Sequence, residues 1–265
     1  MEQLLIFLVT GACAGVLAGL FGVGGGLIMV PALAFVLPLQ GVPATVYMQV
    51  AVGTSLAVIS ATSISSTLAH HRRDGVHWSV FARFAPGLAA GAVAGAFVAD
   101  QLSGGALKRI VGIGAVLVAL QMVLRRERSA VHAYHAAPAA PELLCVGAVI
   151  GLLSAIVGIG GGSLTVPYLS HRGLSMPRAV GTAAASGVPI AWAGASGFVL
   201  AGWNTDGVPA PHLGYVSLSA FATLAIASVA CAPLGARLAH AASPRTLRRA
   251  FALLLTLVGL RMLAG

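Results

Sequence analysis

From Gln3 to Ala69 the chain runs for 67 residues without a Lys, Arg, Asp, Glu or His. A helix crossing the hydrocarbon core of a bilayer needs about 20 apolar residues, so this stretch holds two membrane elements and a bend. Further apolar runs follow at about 77–99, 106–124, 142–162, 179–201, 212–238 and 246–264. The expectation is an all-α polytopic membrane protein with about 8 membrane segments, embedded in a lipid bilayer. Of the 265 residues 58% are apolar and 8% charged, whereas about a quarter of a soluble domain is charged. That composition excludes an ordinary soluble enzyme and a disordered chain. The first charge is Glu2 rather than a basic cluster, and the apolar run continues past any cleavage site, so the N-terminus is expected to be retained as the first membrane element.

The net charge of +9 does not point to nucleic acid. The 15 basic residues, 14 of them Arg, sit in short breaks between apolar runs, as charges that orient a multi-spanning protein do. No nucleic-acid partner is expected. Cys13, Cys145 and Cys231 are too few and scattered for a disulfide framework and are expected to be small buried hydrophobes.

The chain repeats itself. Residues 11–31 read GACAGVLAGLFGVGGGLIMVP and residues 147–167 read GAVIGLLSAIVGIGGGSLTVP. At an offset of 136, Gly11, Gly15, Gly22, Gly24, Gly25, Gly26, Val30 and Pro31 recur as Gly147, Gly151, Gly158, Gly160, Gly161, Gly162, Val166 and Pro167, while Gly19 becomes Ala155. Leu107-Lys108-Arg109 matches Leu247-Arg248-Arg249, and Gly53-Thr54 resembles Gly181-Thr182. Two membrane repeats, 1–124 and 142–265, are therefore expected on either side of a polar linker at 125–141. His132 and His135 in the linker have the spacing of metal ligands on one helical turn, but a solvated loop explains them better, and no metal or other cofactor is expected. A duplicated membrane unit is a mark of many secondary transporters.

Each repeat carries Gly-x-Gly-Gly-Gly inside an apolar run, with Pro five residues after the last Gly. Each Gly costs a helix roughly 1 kcal/mol against Ala, so the triplets should break it. Broken backbone at membrane depth is tolerated only where it is buried in protein or lines a wet cavity. The half-helices starting near Leu27 and Ser163 would aim their N-termini at the breaks, where free N–H groups and the positive end of the helix dipole favour an anion. Close packing is the alternative reading of a glycine triplet, and it is the preferred one for the four-residue spacings Gly15/Gly19, Gly87/Gly91/Gly95 and Gly147/Gly151.

Only eight residues, Ser163 to Ser170, separate Gly162 from His171-Arg172. At about 1.5 Å per residue they cannot cross a core of about 30 Å. A re-entrant hairpin solves this, with 142–160 entering and 163–170 returning, and likewise 3–22 and 27–38. Each half then makes three full crossings and the halves are inverted. One face collects Arg72, Arg73, Arg125, Arg126, Arg128, Arg172, Arg178, Arg237, Arg245, Arg248 and Arg249, the other Lys108, Arg109 and Arg261. Eight full crossings would remove that bias, so the positive-inside rule favours inverted halves with a cytoplasmic linker.

Inside the runs ionisable groups are scarce. Arg83 either snorkels to the cytoplasmic face or, with Gln49, faces an anion path. Asp100 and Glu142 lie at run ends, so no carboxylate relay is visible, and proton or ion coupling stays open, as does homo-oligomerisation. Gln49, Thr54, Ser55, Ser60, Thr62, Ser63, Ser65 and Ser66 share one helix, with Thr182, Ser186 and Ser196 on its counterpart. Their polar groups can hold an oxyanion or bond to backbone and neighbouring helices. Thr54 and Thr182 are the better substrate candidates because each follows a Gly in a matching place. Trp78, Trp192, Trp203 and Tyr47 read as interfacial anchors or packing.

The segments GLFGVGGGLIMVP and SAIVGIGGGSLTVP together resemble the paired signature of the TauE/SafE sulfite-exporter family, and the likeness spans nearly the whole chain. It implies a polytopic inner-membrane permease for sulfur-containing anions such as sulfite or organosulfonates. Carried onto this sequence, the signature falls on Gly22, Gly24, Gly25, Gly26 and Pro31, and on Gly158, Gly160, Gly161, Gly162 and Pro167. The reading is a secondary transporter of a small anion, bound at the two breaks with help from Thr54, Ser55, Thr182 and Ser186 and moved by alternating access. The alternatives are an anion channel and a non-transporting membrane subunit. An intramembrane enzyme would need a nucleophile–base pair, a metal cluster or paired carboxylates, and the sequence offers no such motif.

Overall fold

The computed structural model describes residues 2–21, 25–124, 139–241 and 244–264. Among these, ten helices carry nearly all of the structure: α1 Glu2–Phe21, α2 Gly26–Leu39, α3 Tyr47–His71, α4 Trp78–Asp100, α5 Gly104–Leu124, α6 Ala140–Val157, α7 Gly162–His171, α8 Met176–Ala201, α9 Leu218–Ala241 and α10 Pro244–Ala264. The two strands, β1 His212–Leu213 and β2 Val216–Ser217, form only a small antiparallel hairpin ahead of α9. Among the described residues five helices, α3, α4, α5, α6 and α8, are long and apolar enough to cross a membrane. The expected all-helical membrane architecture is therefore present. The linker from Arg125 to Pro138, with His132 and His135, lies outside the described residues.

The outside of the bundle carries many large apolar side chains. Leu5, Phe35, Leu117, Leu124, Trp192, Ile226 and Leu253 are all more than half exposed. A soluble protein rarely exposes so much continuous apolar surface, whereas lipid receives it. This corrects the expectation for two cysteines. Cys13 and Cys145 are exposed on α1 and α6, and only Cys231 is partly covered, because in lipid an apolar side chain gains nothing by turning inward.

The halves interlock, with α4 packing against α6 and α8, α1 against α9, α3 against α8 and α9, and α5 against α10. Glycines set the closest approaches. On α4, Gly87 lies against the Leu144 carbonyl, Gly91 against that of Ala148 and Gly95 against that of Leu152. On α6, Gly147 and Gly151 lie against the carbonyls of Phe84 and Leu88. The residue numbers rise together, so α4 and α6 run parallel as an alternating zipper. Gly11 and Gly15 of α1 meet Leu224 and Ser228 of α9 in the same sense, repeating the α6–α4 contact with the halves exchanged. At Gly15, Gly87, Gly91, Gly95, Gly147 and Gly151 the glycines are packing devices, as expected.

Equivalent helices meet in the opposite sense. Gly53 of α3 lies by Phe198 of α8, and Gly187 of α8 by Ser63 of α3. On α5, Gly112 lies by Met262 and Leu263 of α10, while Gly259 of α10 lies by Val116. Thus α3 runs antiparallel to α8, and α5 to α10. The chain also doubles back after the second break. Tyr168 near the end of α7 donates its hydroxyl to Glu142 Oε1 at the start of α6, at 3.0 Å. Arg172 pairs with the same carboxylate, and Tyr168 stacks on Phe84 of α4. Helix α7 therefore returns to the end from which α6 set out.

Candidate substrate site at the helix breaks

The glycine triplets interrupt their helices as the sequence requires. Gly25 and Gly161, the residues preceding α2 and α7, adopt the same left-handed conformation, with φ/ψ of 72/−11° and 73/−14°. That region disfavours any residue with a Cβ. Both end the break alike: the Gly25 carbonyl accepts from the amides of Ile28 and Met29, and the Gly161 carbonyl from those of Leu164 and Thr165. The earlier amides of each first turn precede the first intrahelical bond. Pro31 and Pro167 lie within α2 and α7. Lacking an N–H, they leave the carbonyls four residues back, on Leu27 and Ser163, without a helical donor.

The breaks meet. Gly26 packs against the Gly158 carbonyl and the Ile159 Cα with no room for a side chain. Gly158 ends α6, and Ser55 of α3 donates its hydroxyl to the Gly158 carbonyl at 3.0 Å. Gly187 of α8 covers the Gly160 carbonyl. Gly162 opens α7 and is buried. Gly25, Gly26, Gly158, Gly160, Gly161, Gly162 and Ser55 are thus gathered in one region. Gly22 and Gly24 lie outside the described residues.

The other expected residues are placed differently. The Thr54 hydroxyl accepts the Ser217 amide at 3.0 Å, and the Thr182 hydroxyl accepts the His77 amide at 2.9 Å. Ser186 donates to the Thr182 carbonyl of its own helix at 2.9 Å. Gln49 donates through Nε2 to the Leu102 carbonyl at 2.8 Å, past the end of α4, while its Oε1 has no partner among the described residues. Arg83 is exposed on α4, whose inward face carries Phe84, Leu88 and the zipper glycines. A cavity of about 240 Å³ lies at the start of α8, lined by His77, Gly173, Leu174, Ser175 and Arg178.

Three buried hydroxyls at the second break went unnoticed in the sequence: Ser154 Oγ, Ser163 Oγ and Thr165 Oγ1 have no hydrogen-bond partner among the described residues. Their signal lay in the repeat itself, where the matching positions are Ala18, Leu27 and Met29. The differences between the copies were as informative as the identities.

Residues 7–262 match the family described as Sulfite exporter TauE/SafE. The chain belongs to that family. It is 34% identical over 260 residues to a probable membrane transporter protein of Haemophilus influenzae, covering 98% of this chain and 97% of the relative. A probable membrane transporter protein of Methanocaldococcus jannaschii is 30% identical over 268 residues, covering 97% and 94%. One from Bacillus subtilis is 31% identical over 189 residues, covering 65% and 69%. No solved structure matches the chain. The TauE/SafE chain described here is a multi-pass membrane protein of a transporter family, with five helices able to span a bilayer.

Proposed function

We propose that this TauE/SafE protein is a secondary transporter of small anions in the bacterial inner membrane, with sulfite and organosulfonates as its substrate class. The observation that carries the reading is the contact of Gly26 with the Gly158 carbonyl. It brings the two breaks together, and with them the positive starts of α2 and α7. Charge of opposite sign is favoured there, and the neutral hydroxyl of Ser55 beside it adds polarity without the grip of a fixed cation.

In this reading each half, 1–124 and 142–265, contributes a re-entrant hairpin, α1–α2 or α6–α7, and three crossings, α3–α5 or α8–α10. The antiparallel contacts of α3 with α8 and α5 with α10 support inverted halves, and the link from Tyr168 to Glu142 supports the re-entrant path of α6–α7. The ends carrying Arg72, Arg73, Arg172 and Arg178 then face the cytoplasm. Arg83, six residues beyond His77 and exposed, extends toward that face. Rocking of one half against the other alternates access to the breaks. Reconstituted protein should take up labelled sulfite or sulfoacetate with saturable kinetics. Folded protein that moves none of these anions would defeat the reading, and flux that never saturates would turn it toward a channel.

A further inference from the structure

The two breaks share a backbone but not a chemistry. Beside Gly161 stand Ser154 Oγ and Thr165 Oγ1, 3.5 and 3.6 Å from where a Cβ would be. Both residues are fully buried, and Ser163 adds a third hydroxyl in the same first turn of α7. None of the three has a partner among the described residues. In the first repeat the corresponding positions hold Ala18, Leu27 and Met29. Leu27 and Met29 are buried, and Met29 Cε fills the space beside Gly25 at 3.3 Å from where its Cβ would be.

A buried hydroxyl without a partner costs about 1–3 kcal/mol, and the first repeat demonstrates that apolar residues fit the same backbone. Two buried hydroxyls beside Gly161 and a third in the first turn of α7, all without a partner among the described residues, are therefore explained by a guest. The guest must accept hydrogen bonds, since it would meet hydroxyls and first-turn amides, and the positive end of α7 disfavours a cation. We infer that the second break alone is the binding site of the transporter. It takes one small oxyanion of pyramidal or tetrahedral shape, whose oxygens accept from Ser154, Ser163, Thr165 and the first amides of α7, while the first break serves as an apolar abutment. Ile190 of α8, whose Cδ1 occupies the space beside Gly161, must turn aside to admit it. This rests on the anion-transport reading and restricts it to one half.

The test is a thermal-shift titration of the purified full chain with sulfite and, separately, methanesulfonate. Losing one hydrogen bond to a charged group should weaken apparent binding about tenfold, so S154A, S163A and T165V should each do so. M29L at the first break should bind like the wild type. Wild-type affinity in all three hydroxyl variants would overturn the site while leaving the transporter reading intact. A wild type that neither binds nor carries any anion would overturn both. T165S, which keeps the hydroxyl, separates chemistry from packing. It should bind like the wild type, and if it loses binding as fully as T165V the effect is packing and the site falls.

Discussion

The Thr54 hydroxyl accepts the backbone N–H of Ser217 from the opposite half of the chain, and the Thr182 hydroxyl accepts that of His77 in return. The preceding glycines complete the match. Gly53 lies against the Tyr215 carbonyl, and Gly181 against the Gly75 carbonyl. In each repeat the Gly admits a strand of foreign backbone and the Thr fixes it two residues later. The duplicated Gly-Thr pair thus clasps the start of α9 to α3 and the start of α4 to α8.

Replacing the hydroxyl leaves a buried amide without its acceptor, at a cost of about 1–3 kcal/mol. T54V and T182V should each lower the thermal midpoint in detergent, and T54S and T182S should restore it. A direct role in holding substrate would appear otherwise, as lost flux at an unchanged midpoint.

The contact between the breaks makes a sharper prediction for function. A methyl group on Gly26 would be pressed into the Gly158 carbonyl and the Ile59 side chain. The breaks must then part, at a cost of about 1–3 kcal/mol for an overpacked site. G26A should sharply reduce anion flux in proteoliposomes while the protein still inserts and elutes as a single species. Wild-type flux in G26A would remove the break contact from the mechanism.

Much of this was legible in the sequence. The all-helical membrane class followed from the charge-free run and the breaks from the glycine triplets, whereas about 8 membrane segments were expected and ten helices, five of them long and apolar enough to span, are found among the described residues. Side-chain roles were less legible. A hydroxyl following Gly in two matching places points to Thr54 and Thr182 as substrate ligands, whereas in the structure each accepts a backbone amide from the other half. Sequence gives no sign of which foreign backbone a Gly admits, and the acceptor lies 163 residues from its donor in one case. The bond from Gln49 Nε2 to the Leu102 carbonyl is illegible for the same reason, since the two lie 53 residues apart.

The α4–α6 zipper separates packing glycines from tolerant ones. Gly91 and Gly151 abut the carbonyls of Ala148 and Leu88, whereas no atom lies within 4 Å of where a Cβ on Gly105 would be. Overpacking at such a crossing costs about 1–3 kcal/mol for small additions and more for large ones. G91L and G151L should abolish the monodisperse species in detergent. G105A should be neutral or stabilising by up to about 1 kcal/mol, because Ala is the better helix former. Equal tolerance at all three positions would mean that α4 and α6 do not pack this closely.

Tyr215 gives a dependence on pH. It is buried in the hairpin ahead of α9 and donates its hydroxyl to Asp100 Oδ1 at 2.7 Å. Burial raises its phenol pKa above the ordinary value, the bond from Thr205 lowers it, and the neighbouring Asp100 carboxylate raises it further. The folded protein thus holds this proton more tightly than the unfolded chain, whose phenol titrates near 10. Between the two pKa values the native state binds more protons, so stability falls as pH rises. The contribution is complete below about pH 10 and is lost as pH climbs through the raised folded value. The informative quantity is the difference between wild type and Y215F. Thermal midpoints measured from pH 8 to 11 should show Y215F below the wild type at the neutral end, with the gap closing above pH 10. A gap that stays constant with pH would mean that the bond to Asp100 contributes nothing that ionisation of Tyr215 removes.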